Sequence, residues 1–225
     1  MIQTKPPEPI AIAHHIDAVR VTALSFGVYA GLLGMEHGYF ETLQGNVATN
    51  GLKVMAVGSF ELPFPFGHEP AMTLIPNFLV TGVAALIVGL AVIVWSAVFV
   101  QKRYGAGILL LLSAILLLVG GGFGPISLLI VACIAASRID KPMIWWRKHL
   151  PIGLRRVLAK LWVLSLVGAL AYVPCEYVLG LVLRLKNDHR QVLDNLNLML
   201  TYPMLGLFAL TLVAGFAREA DRRTP

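Results

Sequence analysis

Uninterrupted apolar runs of membrane-spanning length constrain this chain more than any other feature. The stretch "TLIPNFLVTGVAALIVGLAVIVWSAVFV" (73–100) carries no charged residue, and similar runs recur along the sequence. About 20 such residues wound as a helix match the hydrocarbon thickness of a bilayer. Only 13% of residues are charged, against about 25% in an ordinary soluble domain. A mean hydropathy of +0.77 agrees. The pattern predicts an all-α, polytopic integral membrane protein, with one transmembrane domain over 1–225 built as a six-helix bundle. The expected spans are 18–38, 73–100, 104–121, 123–139, 158–183 and 196–217.

The third and fourth spans are separated by Gly120-Gly121-Gly122-Phe123-Gly124-Pro125, a strong helix breaker. No Gly-Lys-Ser/Thr follows, so a phosphate-cradling loop is a poor reading and a tight hairpin the better one. Met1 to Asp17 is polar and proline-bearing, lacks a basic n-region and leads to no small-residue cleavage site, so the first span is expected to be a retained anchor. Cys133 and Cys175 sit singly in apolar segments and read as small buried hydrophobes.

The basic residues set an expected orientation. With the N-terminus inside, 14 of the 18 Lys and Arg fall on inside segments. That bias predicts an N-in, C-in chain in a plasma or inner membrane. It also excludes nucleic acid as a partner: the +6 net charge follows topology and accompanies no nucleic-acid motif. The basic inside loop (138–158) holds Trp145 and Trp146 beside Arg147, Lys148 and His149. Indoles favour the headgroup level and cations favour anionic lipid, so this loop reads as an anchor on the bilayer, the chain's first partner.

A long outside loop (42–72) between the first two spans is expected to be structured. "LKVMAVGSFEL" (Leu52 to Leu62) suits a strand or a short amphipathic piece, and "PFPFGHEP" (Pro63 to Pro70) suits a cap on the bundle.

Polar residues gather in the outer halves of the spans. The first ends in "MEHGYFE" (35–41). On the helical period Gly27, Gly31, Gly34 and Gly38 fall in one stripe, suited to a close helix partner or to a second copy of the chain. His37 and Glu41 flank this stripe, one turn apart, while Glu36 points away. Asn77 and Thr81 lie near the outer end of the second span. Glu176 shares a face of the fifth with Tyr172, close to Pro174. The sixth begins with Asn197, Thr201 and Tyr202, followed by Pro203. The inner halves offer only hydroxyls such as Ser96, Ser165 and Thr211.

An acid such as Glu176 is expensive in hydrocarbon unless paired, protonated or wetted. The economical arrangement is one outward-facing polar cavity lined by Glu176, His37, Glu41, Tyr172, Asn77, Thr81, Asn197, Thr201 and Tyr202, with His68 and Glu69 closing it from above. A cofactor is not specified. His37, Glu41, His68 and Glu69 have donor types that suit zinc or iron, though their spacing is not diagnostic. The leading expectation is binding or transport of a small polar or cationic solute or ion. The alternatives are a membrane-embedded enzyme acting on a lipid or isoprenoid, and an accessory or assembly subunit whose polar set is an interface.

Overall fold

The computed structural model describes residues 17–56, 70–186 and 190–222. The described chain is mostly helical. Helix α1 (Ala18–Leu43) is followed by two short strands, β1 (Lys53–Met55) and β2 (Pro70–Met72), and by α2 (Phe78–Val94), which runs on as a π-helical turn over Trp95–Phe99. Then come α3 (Gly105–Leu118), α4 (Phe123–Ala136), the short α5 (Ile144–His149), α6 (Ile152–Lys186) and α7 (Arg190–Arg222). Four stretches are long and apolar enough to cross a bilayer: Ala18–Leu43, Phe78–Phe99, Ile152–Glu176 and Thr201–Arg222. They suit an integral membrane protein. The 14-residue helices α3 and α4 are apolar but only about 21 Å long.

Local sequence explains the boundaries. Asp17 caps α1, its carboxylate accepting from the Val19 and Arg20 amides at 2.9 and 3.1 Å. Gly45, at φ +82°, stops it. The apolar run expected to be helical from Thr73 is instead a bridge at Thr73 and a bend over Leu74, Ile75 and Pro76, and no helix forms before Asn77. Thr73 bridges to Val119, and Asn77 caps α2 through Val80 N–H at 3.1 Å. Apolarity alone does not separate extended chain from helix; the Pro76-Asn77 pair does, because proline disfavours the helical conformation before it and Asn favours the cap.

Helices α1 and α2 form an antiparallel pair held at backbone distance by glycine. A Cβ added at Gly38 would lie 2.7 Å from the Gly82 carbonyl oxygen, and one at Gly31 would lie 2.8 Å from that of Gly89. Gly27 abuts Ser96, and Gly34 abuts Leu116 of α3. The four-glycine stripe thus packs against α2 and α3 of the same chain. Lipid tails are as apolar as leucine, so close van der Waals fit of this kind holds membrane helices together.

Two differently built ends result. At the first, here the α5 end, α6 and α7 are fastened to α1 by polar contacts. Trp162 Nε1–H donates to Thr22 Oγ1 at 2.9 Å, and Ala18 N–H donates to Glu219 Oε1 at 3.1 Å. Arg155 pairs with Asp221 at 3.1 Å, and α5 rests on α7 through Trp146 and Phe216. The second, the hairpin end, is covered by the antiparallel β1–β2 pair, with Val54 opposite Ala71. Gly120 N–H donates to Met72 O and Leu74 N–H to Leu118 O, both at 2.9 Å, which stitches β2 to the α3–α4 turn.

Candidate functional site

The α3–α4 turn meets the outer flank of α1's glycine stripe. Gly120 and Gly122 have φ of +93° and +77°, a left-handed conformation that glycine adopts without strain. Both also press on side chains. A methyl group on Gly120 would collide with both carboxyl oxygens of Glu41, and one on Gly122 would collide with Nε2 of His37. The triple glycine therefore does more than reverse the chain: its missing Cβ atoms leave the space that the His37 and Glu41 side chains fill.

Glu41 has no solvent exposure. Among the described residues, neither of its carboxyl oxygens has a hydrogen-bond partner. His37, one turn below, is 8% exposed, and its Nδ1 lies 2.9 Å from the Leu33 carbonyl. A carbonyl only accepts, so Nδ1 carries the hydrogen, and in the neutral ring Nε2 keeps a lone pair. That nitrogen is the one facing Gly122. Helix α4 starts at the same turn, with Gly122 as its N-cap and no side-chain cap.

Around this pair the polar groups are satisfied. Thr81 Oγ1–H donates to Val119 O at 2.9 Å and accepts from Thr73 Oγ1 at 2.6 Å. Both threonines are buried, and they pin β2, α2 and the glycine turn to one another. Asn77 is occupied as a cap and donates to Asn46 Oδ1 at 2.6 Å. Thr81 thus braces the wall beside His37 and Glu41, whereas Asn77 lies on the rim.

The other expected site residues lie elsewhere. Glu176, 3% exposed, accepts a hydrogen bond from Tyr172 one turn earlier on α6. It is within electrostatic reach of Tyr29, as is Glu36. Tyr29 sits about 120° around α1 from Glu41. The described ionisable residues near this end of α1 therefore lie on two sides, His37 and Glu41 toward the glycine turn, and Glu36 with Tyr29 toward Glu176 and its partner Tyr172. Thr201 is half-buried and Tyr202 is exposed. His68, Glu69 and the side chain of Asn197 lie outside the described residues.

Two donors alone do not define a metal centre, and among the described residues no three His, Cys, Asp or Glu side chains converge as one would require. The Thr73–Thr81 bridge escaped the sequence reading, in which Thr73 was an apolar-span residue like its neighbours. The pairing of "HxxxE" with "GGG" escaped it too: the positive-φ glycines read as a turn, and nothing in their spacing says which side chains they accommodate. No family model, curated protein or solved structure matches the chain, so the chemistry of these side chains has to carry the functional reading.

Proposed function

We propose that this is a six-span, N-in and C-in membrane protein that binds, and by alternating exposure carries, a small cation at the His37–Glu41 pair. The reading puts the hairpin end outside, in a plasma or inner membrane. Helices α3 and α4 then act as a hairpin beside α1 and α2. An even number of passes keeps both termini on the basic-rich side, whether this hairpin crosses fully or re-enters.

One observation carries the reading. Glu41 is fully buried and its two oxygens meet no donor among the described residues. A lone buried carboxylate is among the most unfavourable groups a bilayer protein can hold, so such a site calls for a compensating positive ligand. Both groups offered there, the ionised carboxylate and a neutral Nε2, accept rather than donate, which suits a cation and rejects an anion.

The test is thermal unfolding of the detergent-purified protein against a panel of ammonium, sodium, potassium and zinc, and against pH. At least one of these should stabilise the wild type in a saturable manner and lose its effect in Glu41→Gln. A panel in which the two proteins respond identically to every ion and to pH would remove the reading.

A further inference from the structure

The cation reading leaves open which ion the pair takes, and the packing narrows it. The backbone of Gly120 lies so close to the Glu41 carboxyl, and that of Gly122 to His37 Nε2, that no methyl group fits between them. The turn is held in that position from three sides. Gly120 N–H donates to Met72 O at 2.9 Å, Gly121 N–H donates to Leu116 O at 2.9 Å, and Thr81 holds Val119 O at 2.9 Å. A hydrated metal ion or an alkylammonium would have to break this lacing. A proton needs no added volume.

Resting on the cation-binding reading above, we propose that the ion is a proton and that Glu41 and His37 are its two stations. Taken up by Glu41, the proton converts the carboxylate to the neutral acid, and charge is conserved. Moved to His37, it leaves a carboxylate and a cationic imidazolium, with Nε2 as the accepting atom; the two groups are not hydrogen-bonded to each other here, so the transfer requires the side chains to move together. The tautomer supports this direction: Nδ1–H is committed to Leu33 O, so the basic nitrogen is the one on the Gly122 side. Burial disfavours a lone carboxylate, while a cationic His37 beside it favours one. These opposed influences suit a group that must both take up and release a proton.

Among the described residues, few other charges lie on the elements packed against Glu41. Helices α2 and α3, strand β2 and the first turns of α4 contain no titratable side chain. Lys53 of β1 is exposed, and Glu36 faces Tyr29 on another side of α1. Among the described residues, His37 is therefore the one titratable neighbour of Glu41.

Infrared difference spectra between mildly acidic and mildly alkaline buffer, on protein labelled with carboxyl-13C glutamate, read the protonation directly. The wild type should exchange a buried carboxylic-acid band for a carboxylate band, and Glu41→Gln, equal in size and neutral, should lack that exchange. Glu41→Asp serves as a second variant and should keep a shifted band. Potentiometric titration should show one fewer exchangeable proton in Glu41→Gln than in the wild type. Identical difference spectra in wild type and Glu41→Gln overturn the proton assignment. If zinc or ammonium still stabilises only the wild type in that case, the cation-binding reading survives with a different ion. If nothing distinguishes the two proteins, both readings fall together.

Discussion

Substituting Gly120 by alanine tests the central geometry, because its cost has two parts that a second substitution separates. The first is conformational. At φ +93° an L-residue is strained by about 1–3 kcal/mol wherever its side chain points. The second is steric. The new methyl lands on both Glu41 carboxyl oxygens, and overfilling a packed site costs about 1–3 kcal/mol. Together they predict a loss of about 2–6 kcal/mol for Gly120→Ala alone. In a Glu41→Ala background the carboxyl is gone and the methyl has space, so only the conformational part remains. The double-mutant cycle should therefore give a coupling of about 1–3 kcal/mol, with Gly120→Ala milder in the double variant. Gly122→Ala should couple in the same way to His37→Ala, while the crossed pair, Gly122→Ala with Glu41→Ala, should couple less. Reversible unfolding in mixed micelles of dodecyl sulfate and a mild detergent, followed by circular dichroism, supplies the free energies. Additivity within about 0.5 kcal/mol for Gly120 and Glu41 would mean that the carboxyl does not lie against the turn, and the site as described would be abandoned.

Further expectations follow from other contacts. Gly38→Leu and Gly82→Leu each drive a side chain into the facing backbone, which a Cβ alone already approaches to 2.7 and 2.6 Å. Each should destabilise by 2 kcal/mol or more, on the order expected for overpacking, while Gly107→Leu, whose Cβ has open space, should be tolerated in the same unfolding assay. Trp162→Phe removes the 2.9 Å hydrogen bond to Thr22 and weakens the stacking of Arg218 over the indole at 4.8 Å. A loss of about 1–2 kcal/mol is expected, and a neutral result would deny that bond a role in fastening α6 to α1. For orientation, cysteines placed at the exposed Lys53 and Lys148 in a background lacking Cys133 and Cys175 should differ toward a membrane-impermeant thiol reagent in whole cells. Lys53→Cys should label at once and Lys148→Cys only after permeabilisation, and the reverse pattern would invert the proposed topology.

The helical, membrane-type character was legible because long apolar runs are a local signal. The glycine stripe of the first span was legible too, since four glycines on one face of a helix allow close approach whatever the partner is. Its partners were not, because the period names a face and not the helix that fills it. The start of the second helix was misplaced by five residues: "TLIPN" is apolar enough to continue a span, and its Pro76 outweighs that apolarity. The site was half visible. His37 and Glu41 stood out as ionisable residues on the flank of the stripe, and Gly120-Gly121-Gly122 as a breaker. About 80 residues separate the two motifs, and only tertiary packing sets one against the other. Glu176 stood out for its depth, yet depth does not fix direction, and its hydrogen bond to Tyr172 is a contact within its own helix.

The adjacency of Glu36 and His37 becomes informative once the two sides of α1 are compared. Toward α2 and the α3–α4 turn, contact is backbone to backbone through glycine, with few rotatable atoms between the helices, so this side is stiff at the level of Glu41. Toward α6 and α7 the contact is made by large side chains and is strongest at the α5 end, through Trp162 with Thr22 and Phe26 with Phe208. Nearer the hairpin end, α6 and α7 expose Val178, Val182, Met199 and Tyr202, as lipid-facing residues would be. There, Tyr29 of α1, with Glu36 beside it, is within electrostatic reach of Glu176 and Cys175 of α6, and Tyr172 bonds Glu176. One helix thus presents an acid and an imidazole to a rigid glycine wall and a second acid to a more loosely joined pair of helices. If charge moves through this protein, the rigid side is where it can be held without reorganisation. The α6–α7 side, which carries Pro174 and Pro203 within its helices, is where the structure can yield.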